Sequence, residues 1–293
     1  MINKKRLKAH DNRKVFCIAP TIWMSLLLLN LPLTIKSQEE VVSVNRYSEY
    51  KSDNDDDFDS NRAPLLQAVW SGNHKLVKKL VKQGADINLI QDGEGTALVI
   101  AIRRSEVEIA EFLLEKGANP NLGTSSDGHP IWLAAKNGHV ELVHLLVNKG
   151  ADVNKKFLGD GSALIQACKT GNLTMTKALV NLNADINMGV DGDGNPVIMA
   201  SKGGYIELVK YLVGLGADIN KEVKGDETPL INASEQGHLD VVKFLVENGA
   251  DVNKVCTEII NNNQTRVRTA LKMAKKNRHD SIVEYLKFKG ATK

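Results

Sequence analysis

The sequence predicts an all-α solenoid of about seven helix-turn-helix units, separated by hairpin fingers and stacked in a row. Three observations carry that reading. The phrase Gly-Ala-Asp-Ile-Asn begins at Gly84 and returns, nearly unchanged, at Gly117, Gly150, Asn183, Gly216 and Gly249, before a truncated Gly290-Ala291. The first five intervals are 33 residues and the last is 41, which places an eight-residue insertion before the final unit. A second column keeps the same step through Pro64, Ala97, Pro130, Ala163, Pro196, Pro229 and Ala270. Third, each unit holds two short stretches with helical apolar spacing, and a fixed repeat of this length is the mark of a stacked array.

The elements follow in order within one unit. Thr228 is an N-cap, and Pro229 is the first helical residue, where a missing N–H costs nothing. Leu230, Ala233 and Ser234 give the first helix a small inner side, and Gly237 turns the chain. Leu239, Val241, Val242, Leu245 and Val246 form the apolar face of the second helix. Gly249 then takes the left-handed C-terminal position; its counterpart Asn183 is the next most tolerant residue. Asp160-Gly161 and Gly225-Asp226 suit tight turns at the fingertips.

With these residues in place, the chain resembles the ankyrin repeat family. The pattern is carried by Thr228-Pro229-Leu230-Ile231-Asn232-Ala233, Gly237-His238, Val241-Val242, Leu245-Val246 and Gly249–Asn253, and the resemblance covers about residues 63–291. It implies an ankyrin solenoid that binds protein partners on its concave face. One departure is systematic. The family's histidine after Thr-Pro-Leu is replaced by Leu66, Val99, Trp132, Ile165, Ile198, Ile231 and Lys272. The Thr–His network is therefore expected to give way to apolar stacking. Turns such as Gly192-Asp193-Gly194 also resemble those of ankyrin arrays on exported bacterial proteins.

Ahead of the array lie two further segments. Residues 1–14 are basic, and Val15–Ile35 is apolar and uncharged, the layout of an export signal. Pro32 and the small Ser37 favour cleavage, giving a signal peptide over 1–37. The apolar length also suits an uncleaved anchor. Residues 38–62 hold eight acids and three bases with no period, as expected of an acidic disordered linker. The net charge of +3 thus divides into a basic signal, an acidic linker, an acidic array over 63–253 and a segment 254–293 with ten bases and three acids. The polar repeat at 269–293 is expected to cap the array. The insertion, 254–268, reads as a polar loop and secondary contact.

Enzymatic readings fail. His139 and His144 are five apart, about 140° around a helix, whereas a helical zinc site needs histidines four apart. Asp191–Asn195 opens like a calcium loop, but its twelfth position is Lys202 instead of Glu. Cys168 reads as a buried hydrophobe too distant from Cys256 to bridge it, and Asn263-Gln-Thr265 is a glycosylation sequon. The chain is expected to be no enzyme and to need no cofactor or metal.

The candidate partner-binding face is the residue before each central turn. Trp70, Arg103, Lys136, Lys169 and Lys202 occupy it in successive units, then Glu235 and Lys276, with Arg104 beside Arg103. An aromatic anchor followed by four cations suits an acidic segment of a protein partner. Residues 38–62 are one such segment within the chain itself. The expected activity is protein–protein interaction outside the cytoplasm, periplasmic or secreted, as a monomer and without nucleic acid. Two alternatives stand beside it: an inhibitor or immunity-type protein that blocks a toxin or hydrolase, and a scaffold anchored in the membrane through 15–35.

Overall fold

A computed structural model describes residues 62–124, 128–157, 159–260 and 264–292. The segment expected as an export signal, nearly all of the acidic segment, Cys17 and Asn263 lie outside the described residues.

Fourteen helices form seven pairs among the described residues. They are α1 Pro64–Trp70 and α2 His74–Lys82, α3 Ala97–Arg103 and α4 Val107–Glu115, α5 Pro130–Lys136 and α6 Val140–Asn148, and α7 Ala163–Lys169 and α8 Leu173–Asn181. The series continues with α9 Pro196–Lys202 and α10 Ile206–Gly214, α11 Pro229–Gln236 and α12 Leu239–Glu247, and α13 Ala270–Lys276 and α14 Asp280–Phe288. First helices stack on first helices and second helices on second, so every repeat borrows its core from its neighbours.

The local rules hold as the sequence predicts. Proline opens α1, α5, α9 and α11. Thr96, Ser162, Asn195, Thr228 and Thr269 each accept a hydrogen bond from the backbone N–H three residues on. Six of the seven residues replacing the family's histidine stack as expected, Leu66, Val99, Trp132, Ile165, Ile198 and Ile231 all being buried, whereas Lys272 in the last repeat is exposed. Each second helix ends in a left-handed residue, and Asn183 (φ 65°) stands in for glycine there.

A polar ladder runs down the outer turns. Asn121 accepts a hydrogen bond from the Asp152 N–H (2.9 Å) and donates to the Gly150 carbonyl (2.7 Å) of the next repeat. Asn154, Asn187, Asn220 and Asn253 repeat the double contact, the last reaching Thr292 and Gly290. Each asparagine therefore satisfies two backbone groups that the turn would otherwise leave open. This explains the invariant Asn of the repeated phrase within this chain.

Between pairs the chain forms the expected fingers, closed by single antiparallel bridges at Gln91–Gly95, Thr124–Gly128, Phe157–Gly161, Val190–Gly194 and Val223–Glu227. The insertion departs from expectation. Where a loop is expected, strands β1 Cys256–Ile260 and β2 Gln264–Arg268 pair antiparallel, from Cys256–Arg268 out to Ile260–Gln264. Cys256–Arg268 occupies the same repeat position as Val223–Glu227, so the eight added residues lengthen an ordinary finger by four residues per strand. The register sets Thr257 opposite Val267 and Ile259 opposite Thr265, and β-branched residue types favour such extended backbone.

Candidate partner-binding face

The positions singled out in the sequence share one structural role. Trp70, Arg103, Lys136, Lys169 and Lys202 are the last residues of α1, α3, α5, α7 and α9. Their stacking sets them along one edge of the first-helix layer. A helix C-terminus exposes unpaired carbonyls, so a cation there is favoured locally as well as available to a partner.

Their surroundings divide the row in two. At the N-terminal end, the half-buried Trp70 ring lies between two guanidinium groups, with Arg62 at 4.3 Å and Arg104 at 4.7 Å from the ring centroid. Arg104 is exposed and Arg103 is half-buried, its Nη2 at 3.5 Å from the Glu94 carbonyl. Lys136 is exposed, with Nζ 4.8 Å from the centroid of the Trp132 ring. Trp132 is itself fixed by Phe157 at 5.1 Å and by donation of its indole N–H to the Asp160 carbonyl.

Toward the C-terminal end the cations face acids of the fingers. Lys202 Nζ pairs with Asp226 Oδ1 at 3.3 Å, and Asp226 is buried. Lys169 acts on Asp193: burial raises the Asp193 carboxyl above its ordinary range, Asp160 and Asp226 reinforce the rise, and Lys169 opposes it. Glu235, the anionic member of the row, is engaged by Arg268 of β2, which also lies 2.9 Å from Glu227.

A column of acids lies behind this pairing and is not among the residues the sequence points to. Glu94, Asp127, Asp160, Asp193 and Asp226 recur at the same 33-residue step as the cations. Turn chemistry masks their charge in the sequence, since Gly-Asp pairs suit fingertips whatever their charge does. The sequence puts Arg62 in the acidic linker, yet it is buried, pairing with Glu94 (2.6 Å) and the Gln67 side chain (3.0 Å).

The residues considered for chemistry have structural surroundings. His139 precedes α6, and its Nε2 lies 3.2 Å from Ser105 Oγ of the preceding repeat. Among the described residues, no group of three or more His, Cys, Asp or Glu side chains is suited to a metal ion. Cys168 and Cys256 are free and buried, and burial pushes each thiol up to about 12. No helix of the described residues is long and apolar enough to cross a membrane.

Comparison with known proteins agrees with this architecture. The profile of the family described as "Ankyrin repeats (3 copies)" matches residues 65–157, 131–223, 164–256 and 223–293. Among solved structures, the crystal structure of the human ASB11 ankyrin repeat domain is similar. It is 26% identical with a TM-score of 0.63, over 77% of this chain and 98% of that one. A search of curated proteins finds no match. Members of the matched family are typically non-catalytic. The chain belongs to the ankyrin repeat family and is a protein–protein interaction module.

Proposed function

We propose that this protein is an exported, non-catalytic recognition module that holds an acidic segment of a partner protein against the N-terminal half of its first-helix face. The arrangement of Trp70 between the guanidinium groups of Arg62 and Arg104 carries the reading. An aromatic ring held by two cations is a rigid anchor with little side-chain entropy left to lose. Arg104 presents charge next to it and Lys136 presents charge two repeats further along the same edge, and their exposure leaves them open to a carboxylate. Lys169 and Lys202 are more occupied by Asp193 and Asp226, and contribute less.

The test is fluorescence anisotropy with labelled acidic peptides, each bearing one aliphatic or aromatic residue, titrated with the full chain. Arg104→Glu is expected to weaken binding about tenfold, the effect of one charge-assisted contact. Lys202→Glu is expected to change it little, and added salt to weaken it throughout. Equal binding of a neutral scrambled peptide, or indifference to Arg104→Glu, sinks the proposal. Export is proposed from the basic residues 4–14 followed by uncharged Val15–Ile35, and N-terminal sequencing of the mature protein checks it.

A further inference from the structure

The last described repeat carries an unusual surface on its far side. Three register positions point toward the following repeat. In the first repeat, which has no described predecessor, they are Leu66 and Val69, both buried, and Val81, half-buried. They remain apolar or small and largely covered through the sixth repeat, as with Ile231, Ser234 and Val246. In the last repeat they are Lys272, Lys275 and Lys287, all exposed. An array needs a polar end to stay soluble, and that accounts for the three lysines.

It does not account for Phe288. This ring is 83% exposed, against 47% for Leu215, the next most exposed large hydrophobic residue described. The other six repeats place exposed Lys82, Glu115, Asn148, Asn181, Gly214 and Glu247 at the same position. The usual order, apolar then polar as in Leu114-Glu115 and Val246-Glu247, is reversed in Lys287-Phe288. Phe288 is therefore no remnant of a stacking surface that lost its neighbour. The ring directly follows the end-face Lys287 on α14, about 100° around the helix, and has Lys289 Nζ 5.9 Å from its centroid on its other side, so an exposed aromatic residue stands beside the lysine face.

We propose that this end face docks on an anionic lipid surface, with the lysines at the headgroup phosphates and Phe288 in the interfacial layer. A protein interface is built on a packed core of several apolar residues, and this face offers one. A lipid headgroup layer conforms to whatever it meets, accepts a single aromatic ring, and rewards each cation separately. The face is distinct from the Trp70 end, so this proposal and the acidic-peptide proposal stand or fall independently.

Because Val15–Ile35 would itself enter a bilayer if retained, the measurement must report on position 288 in the full chain. Phe288→Trp keeps an aromatic residue there, and the native Trp23, Trp70 and Trp132 serve as background. Vesicles of brominated phosphatidylcholine, alone or mixed with phosphatidylglycerol, quench an indole that enters the interface. The variant is expected to show a quenched component beyond wild type on the mixed vesicles, absent on phosphatidylcholine alone and removed by high salt. Adding Lys272→Glu, Lys275→Glu and Lys287→Glu is expected to weaken that component by roughly a hundredfold or more, as loss of three surface cations predicts. These exposed changes leave the helical circular dichroism melt unaltered, which checks the fold. Absence of extra quenching on anionic vesicles, equal quenching on both compositions, or indifference to the charge reversal overturns the proposal. So does saturable binding of a soluble acidic peptide at this face without vesicle quenching.

Discussion

The two ends of the array carry the same residue in the same register. The position that is Gly95, Gly128, Gly161 and Gly194 in the interior is Arg62 before the first repeat and Arg268 before the last. Arg62 pairs forward, with Glu94 of the next finger, and lies over Trp70. Arg268 pairs backward, with Glu227 and Glu235 of the preceding repeat. Each of these two repeats has a described neighbour on one side only, and in each case the arginine ties it to that neighbour. The interior needs no such tie, because stacking covers both faces of every repeat. The ends differ in their aromatic residues: Trp70 is clasped at one and Phe288 is bare at the other.

The largest effect is expected where a backward tie is cut. Arg268→Ala strands the carboxylates of Glu227 and Glu235, which are largely buried, and should cost about 3 kcal/mol. Glu227 also holds φ 53°, a left-handed conformation taken by glycine in the four earlier fingers, so the arginine supports a strained backbone. Urea unfolding gives the loss, and hydrogen exchange should place it in α13 and α14. Next comes Trp70→Ala, which empties a half-buried site and should cost about 2 kcal/mol at the other end. Equal exchange rates at both ends in the two variants would show that the ends are not independent.

Arg62→Ala is expected to cost somewhat less, about 1–2 kcal/mol, because Glu94 is nearer to solvent than Glu227 and regains water. A smaller effect tests the acid column of the interior. The folded-state pKa of Asp193 is raised, so ionising it disfavours the fold, and the deficit is present at neutral pH and disappears below the ordinary carboxylate range. Asp193→Asn should therefore raise the melting temperature slightly at pH 7, with the gain vanishing as pH falls through that range. Phe288→Ser should change stability by less than about 0.5 kcal/mol, the usual figure for an exposed side chain. Together with vesicle quenching at that position, this would separate a residue kept for contact from one kept for folding.

Much of the frame was legible because it is local. A proline after Thr228, a glycine or Asn183 at a left-handed turn and an apolar period act within a few residues, so their pattern is readable one unit at a time. The candidate face was legible only by half. The cations were found by their 33-residue spacing, but the acids they meet are 24 residues further on, as with Lys202 and Asp226, in a segment whose turn chemistry masked its charge. The insertion was misjudged for a related reason. Its polar composition hid that eight residues divide evenly between two strands of an existing finger.

What the sequence determined by itself was the repeat: its length, its caps, its turns and the absence of the Thr–His network. These follow from backbone preferences and burial patterns that each unit carries internally. What only the tertiary structure decided was which charges meet and which side chains remain uncovered. Trp70 and Phe288 are both aromatic residues beside cations near the end of a helix. One is clasped and the other exposed because Arg62 and Arg104 close over the first, whereas the second occupies a helix position that faces outward in every repeat.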